Sequence, residues 1–163
     1  AARIDYLIAG GLEALVRPVE GAEDDIEAAI DGVKALEIST GDVVIALAAS
    51  GETAFTIAAV DHAKRAGALT IGIANNCNTG LLVTAAYPIL LETGAEALAG
   101  STRLKAGTAQ KICLNLISTQ IMVLLGRVKD GLMSEMRPRN AKLRRRHAEI
   151  NALLATEKRA EAD

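Results

Sequence analysis

Four carboxylates fall within six positions in the stretch Arg17-Pro-Val-Glu-Gly-Ala-Glu-Asp-Asp25, directly after an apolar run and directly before a helical pattern. Acids this close together can move protons, or they can simply open a helix. Carboxylates in a first helical turn gain about 0.3 to 1 kcal/mol each from the helix dipole, which accounts for Asp24 and Asp25. Glu20 and Glu23 differ because they bracket a Gly-Ala loop. A carboxylate on such a loop can reach a ligand held by neighbouring loops, but the residues alone are also satisfied by a charged helix start.

Two further stretches carry polar groups suited to an anion. In Ala48-Ala-Ser-Gly-Glu-Thr53, Ser50 and Thr53 offer hydroxyls, Gly51 admits close backbone approach, and a helix follows whose first N–H groups favour negative charge. Ser or Thr as an ordinary helix cap explains the same pattern. In Gly100-Ser-Thr-Arg-Leu-Lys-Ala-Gly-Thr-Ala-Gln-Lys111, Arg103 and Lys105 stand at a helix entrance rich in Gly and hydroxyls, together with Ser101. That arrangement suits a phosphate or carboxylate, the alternative being a capped helix with surface cations.

The elements that must position these residues follow from periodicity. Ile4–Ala9 reads as a buried strand ended by Gly10-Gly11, and Glu23–Leu36 has helical spacing. Asp42–Ala49 is almost continuously apolar, as in a parallel strand covered on both faces. Ala54–Arg65 reads as a helix, Leu69–Ala74 as a strand, Asn75–Gly80 as its loop and Tyr87–Glu92 as a further strand after a short helical crossover. A long helix is expected over Leu104–Leu125, and a basic helix begins at Arg137 and runs into a polar tail. Strands alternating with helices predict an α/β fold, a doubly wound parallel sheet with flanking helices. In such sheets ligands bind beyond the carboxyl ends of the strands, where the Ser50 loop lies.

Composition narrows the function. The chain has 163 residues, is 50% apolar and carries a formal net charge of -2, which excludes a disordered chain and a general nucleic-acid binder. Aromatics make up only 2%, too few for a base-stacking platform. Cys77 and Cys113 are far apart and form neither a redox pair nor a zinc site, and are read as reduced, in a cytoplasmic protein. His62 and His147 lack metal-ligand spacing, and Arg144–Arg146 is a solvated face or an interface. The apolar run Ile112–Gly126 is too short and too interrupted by polar residues to cross a bilayer, and reads as a core helix.

Ala9-Gly-Gly11, Val19-Glu-Gly-Ala-Glu-Asp24, Ala48-Ala-Ser-Gly-Glu-Thr53 and, above all, Gly100–Lys111 resemble the N-acetylmuramic acid 6-phosphate etherases of the sugar isomerase (SIS) domain superfamily. Glucokinase regulatory proteins share the pattern more loosely. The likeness runs from about Ile4 to Leu143 and implies a SIS domain, a flavodoxin-like three-layer sandwich, over residues 1–137, with a C-terminal helix and tail over 138–163. It implies cleavage of the D-lactyl ether of N-acetylmuramic acid 6-phosphate without metal or organic cofactor. By position, Glu23 matches an active-site glutamate, and Ser50, Gly51 and Thr53 match the sugar-phosphate loop. Glu20, Ser101, Arg103 and Lys105 fall to substrate or interface roles. The family's first strand, its Gly-Ala-Gly-Thr-Ser-Gly-Arg loop and its Asp-Ala-Ser-Glu segment with the proton-donating glutamate are expected before Ala1, and its C-terminal helical region is expected to extend beyond Asp163. Glu52 departs from the family, where Arg or another residue is usual. The resemblance further implies a homodimer that binds a phosphorylated amino sugar and neither nucleic acid nor membrane. Removal of a C2 proton by a glutamate serves a phosphosugar isomerase equally well, and a sugar-phosphate-binding regulatory module is the non-catalytic alternative.

Overall fold

The computed structural model describes residues 4–135 and 137–160 and divides into two compact units, Ala1–Ile112 and Cys113–Asp163. The last three residues of the expected polar tail lie outside the described residues.

The first unit is built on a three-stranded parallel sheet of order β1-β2-β3, formed by β1 (Val43–Leu47), β2 (Leu69–Ala74) and β3 (Tyr87–Leu90). Register is set by Val43 opposite Leu69 and by Ile71 opposite Tyr87. Helix α1 (Ile26–Ala35) precedes the sheet, α2 (Ala54–Arg65) joins β1 to β2, and the single-turn α3 (Gly80–Thr84) joins β2 to β3. The α/β class expected from alternating strands and helices therefore holds.

The periodicities that announce these helices also build the core. Ala29 and Val33 of α1 meet Phe55, Ala59 and Ala63 of α2 in one buried cluster, with Val44 at its border. On a second side of α2, Val60 packs with Ala46 of β1 and Ala48 just beyond it, and with Leu81 of α3 and Ala85 at its C-terminal end. Small residues let these elements approach closely. At Gly72 of β2, a side chain would bring its Cβ to 2.8 Å from that of Ala85. Ile73, Leu81 and Val60 are fully buried, and each such side chain contributes roughly 1.5 to 3 kcal/mol over exposure.

Two strand expectations are corrected. Residues 4–8 form no strand, and Ile4 and Tyr6 are exposed. A strand needs a ladder partner, and here a groove of about 550 Å³, lined by Asp5 and Leu7 together with Val43, Val44 and Ile45, separates this segment from β1. β1 is the edge of the sheet, and the cover expected on both its faces is incomplete: Val43 is 57% exposed and Ile45 and Leu47 are only half-buried.

In the second unit, α4 (Lys105–Leu124), which starts in the first, completes its run, and β4 (Val128–Lys129) pairs antiparallel with β5 (Leu132–Met133). Asp130 and Gly131 link these two strands with φ of 50° and 75°, the left-handed pair that a two-residue hairpin requires. The apolar run expected to be a core helix is instead exposed at Leu116, Ile121, Met122 and Leu124. Helix α5 (Ala141–Ala160) starts four residues later than expected, because Pro138 disfavours helix before it and Asn140 accepts the Leu143 N–H at 2.8 Å as the cap. Within α5, Arg145 pairs with Glu149 at 3.0 Å on an exposed face, so this member of the arginine run is solvated.

Candidate functional site

The carboxyl ends of the strands gather the polar loops. Ser50–Thr53 turns from β1 into α2, and Asn75–Thr79 turns from β2 into α3. The two turns interlock through the backbone. The Gly51 carbonyl accepts the Leu81 N–H at 2.9 Å, and the Ala49 carbonyl accepts the Asn75 N–H at 3.1 Å. Asn76 Nδ2 adds bonds to the carbonyls of Ser50, at 3.2 Å, and Ala49, at 3.4 Å.

Gly51 is required twice over at this crossing. Its φ is 77°, and a Cβ there would lie 2.2 Å from Thr79 Oγ1. Thr79 is 4% exposed, and its hydroxyl has no hydrogen-bond partner among the described residues. A buried orphan hydroxyl costs about 1 to 3 kcal/mol unless something bonds to it. Ser50 Oγ accepts the Glu52 N–H at 3.2 Å, which leaves its own proton available to donate. Thr53 stands at the N-cap of α2 but makes no capping bond through its side chain. The cap reading of Thr53 thus fails, and the first turn of α2 keeps its N–H groups for another acceptor.

The other helix starts contrast with this one. α1 starts at Ile26 and not at Glu23 as expected: Asp25 is its cap, accepting the Ala28 N–H at 2.9 Å, and Asp24 lies in the preceding 3-10 turn. At α4 the Glu96 carboxylate accepts both the Lys105 N–H, at 3.0 Å, and the Ala106 N–H, at 2.9 Å. The Ala106 amide, followed by the amide and charge of Lys105, holds the Glu96 carboxyl below its ordinary value of 4.5, against an opposing contribution from desolvation. The helix entrance read as an external anion site is therefore already served by an internal anion. Arg103 and Lys105 keep exposed side chains beside it, and Ser101 is half-buried.

Glu23 lies in a short 3-10 turn (Ala22–Asp24) that packs against α2, the helix whose start carries the Ser50 loop. Glu23 and Glu20 are both exposed. The sequence reading overlooked Asn75, Asn76, Thr79, Glu96 and Gln110. Asn75 Nδ2 donates to the Leu91 carbonyl at 2.9 Å while its Oδ1 accepts from Gln110 Nε2 at 3.0 Å, joining β2, the end of β3 and α4. Asn75 and Asn76 were detectable as polar residues at a strand's carboxyl end. Thr79 and Glu96 had no comparable signal, since their roles depend on contacts 28 and 9 positions away in the chain.

No group of three or more His, Cys, Asp or Glu residues is placed to hold a metal among the described residues, and no described helix is long and apolar enough to cross a membrane.

A parallel α/β unit whose polar loops gather at the strand ends matches known proteins at the level of class first. Residues 1–64 match the family described as the glucokinase regulatory protein N-terminal SIS domain. Across most of its length the chain is similar to proteins named N-acetylmuramic acid 6-phosphate etherase. It is 52% identical to that of Deinococcus radiodurans over 137 residues, which is 84% of this chain and 45% of that protein. It is 49% identical to the Exiguobacterium sp. protein over 84% of this chain and 47% of the relative. With the Halalkalibacterium halodurans protein it shares 47% identity over 91% of this chain and 50% of the relative. The chain belongs to the N-acetylmuramic acid 6-phosphate etherase family, and it spans about half the length of the curated relatives it matches.

Proposed function

We propose that the chain forms the sugar-phosphate-binding part of an N-acetylmuramic acid 6-phosphate etherase. The observation that carries this reading is the Ser50–Thr53 turn: an α2 start without a side-chain cap, lying over a buried Thr79 hydroxyl that lacks a partner. A phosphate there would accept from the α2 amides and from the Ser50 and Thr53 hydroxyls.

In the reaction, the C1 aldehyde of the ring-opened sugar acidifies the hydrogen on C2. A carboxylate base removes that proton, the electrons of the C–H bond form the C2–C3 double bond, and the C3–O bond breaks. Lactate leaves with a proton from an acid. Water then adds across the double bond and gives N-acetylglucosamine 6-phosphate. Glu23, an exposed glutamate on the turn packed against α2, is assigned the role of base. The proton donor needs a carboxyl raised by burial or by a neighbouring anion, and it is assigned to a residue outside these 163. Glu20, Ser101, Arg103 and Lys105 are assigned to the sugar or to an interface. The enzyme so described acts on a phosphorylated amino sugar in the cytoplasm and pairs with a second copy of itself.

The test is D-lactate release from N-acetylmuramic acid 6-phosphate. The full-length protein is expected to turn over, Glu23→Gln in it to lose about 10²- to 10⁴-fold in kcat, and residues 1–163 alone to release little or none. Robust release by residues 1–163 would show that the donor is among them. Conversion of a sugar phosphate without lactate would indicate an isomerase. The match to the glucokinase regulatory protein domain favours one second reading, a module that binds sugar phosphate without consuming it. Stoichiometric binding of the phosphosugar by the full-length protein with no product formed would select that reading.

A further inference from the structure

Glu52 sits inside the proposed phosphate turn, where a carboxylate would be expected to repel the ligand. Its geometry gives it another task. Oε1 accepts the Gly80 N–H at 3.0 Å, next to the Leu81 N–H that bonds to the Gly51 carbonyl at 2.9 Å. Two consecutive residues of the first turn therefore hold the first two amides of α3, one through backbone and one through a side chain. The fit is close on the far side as well. A Cβ on Gly80 would lie 3.2 Å from Glu52 Oε2 and 2.7 Å from Ile57 Cδ1, so the carboxylate wraps a residue that has room only for hydrogen. Gly80 directly follows Thr79, whose orphan hydroxyl is pressed beneath Gly51. The grip on Gly80 thus holds the backbone directly after Thr79 in place against the turn.

We propose that Glu52 is a positioning residue: its carboxylate clasps the Gly80 amide and so keeps the Ser50–Thr53 turn and the Thr79 hydroxyl preformed for a sugar phosphate. The proposal rests on the reading of that turn as the phosphate site. A preformed turn lowers the ordering cost of binding, and a hydrogen bond to a charged acceptor is strong enough to hold it. The same carboxylate opposes a dianion through space, an effect that salt screens. Two substitutions separate the effects, because Glu52→Gln keeps an acceptor oxygen and discards the charge, whereas Glu52→Ala discards both.

Amide exchange at Gly80 and Leu81, followed by NMR without ligand, reads the clasp alone. Dissociation constants for N-acetylglucosamine 6-phosphate, measured by calorimetry on the full-length protein, read its effect on the site. Glu52→Ala is expected to exchange Gly80 about ten-fold faster than the parent while Glu52→Gln stays close to it. Binding is expected to weaken about three- to ten-fold in Glu52→Ala and to be retained or improved in Glu52→Gln, with the improvement fading at high salt. Unchanged Gly80 exchange in Glu52→Ala overturns the clasp whether or not the sugar binds. Faster exchange with unchanged affinity overturns the positioning role. If the parent protein fails to bind while exchange behaves as expected, the clasp stands and it is the reading of the turn as a phosphate site that falls.

Discussion

At the scale of single residues, side chains accept from the opening amides of α1, α3, α4 and α5, with Glu52 serving Gly80 of α3, and among the described residues none does so for α2. Asp25, Glu96 and Asn140 bond to the first amides of α1, α4 and α5, while Thr53 leaves those of α2 without a side-chain acceptor. Glu96 gives this difference a measurable consequence. Its carboxyl is held below 4.5 in the folded chain, so its contribution to stability is complete above the unfolded value and is lost as pH falls through the folded one. Thermal midpoints compared at pH 6 and at successively lower pH should show a decline through and below the ordinary carboxylate range, and the decline should be smaller in Glu96→Gln, which cannot titrate. An identical decline in the two proteins would remove Glu96 from the acid response.

At the scale of elements, α3 matters out of proportion to its single turn. Leu81 is fully buried, packs with Val60, Ala46 and Ala48, and donates its amide to Gly51. Core strength and site geometry therefore meet in one residue. Leu81→Ala is expected to cost about 2 to 5 kcal/mol in chemical denaturation, the range for a buried Leu that leaves a cavity. Because the cavity opens beneath the Ser50 turn, the variant should also speed amide exchange at Gly51. Val33→Ala in the α1–α2 cluster, away from that turn, should lower stability without this local effect. Similar exchange at Gly51 in both variants would mean that the turn is braced by the loop bonds alone.

At the scale of the whole molecule, apolar surface without cover is the dominant feature. In the second unit, Leu116, Ile117, Gln120, Ile121 and Leu124 line a groove of about 480 Å³ along α4, and Leu116 and Leu124 are 66% and 78% exposed. Exposed apolar stripes of this kind are common at association surfaces. Sedimentation of the full-length protein at micromolar concentration is expected to give a dimer, and Leu116→Glu with Leu124→Glu to shift it to monomer without changing the far-ultraviolet circular dichroism. A parent protein that sediments as a monomer would rule out this role for the stripe.

Much of the first unit was legible in the sequence because local patterns there agree with the tertiary outcome. The spacing of Ala54–Arg65 and the run Leu69–Ala74 both became the elements they announced. The Asp130-Gly131 hairpin was equally legible, since both residues readily take positive φ, and it was overlooked. Ile4–Ala9 shows the limit of such patterns. The run is apolar enough for a strand, but pairing is decided by the neighbour across the groove, which no local pattern contains. The site divides along the same line. Residue type and order determined by themselves that a polar, Gly-containing turn follows β1, that carboxylates precede α1, and that the chain resembles the etherases. Only the tertiary structure decided that Glu96 already occupies the start of α4, that Thr79 lies unpartnered under Gly51, and that Glu52 turns its charge to Gly80. A hydrogen bond between residues 28 positions apart exists only once the strands have brought their ends together.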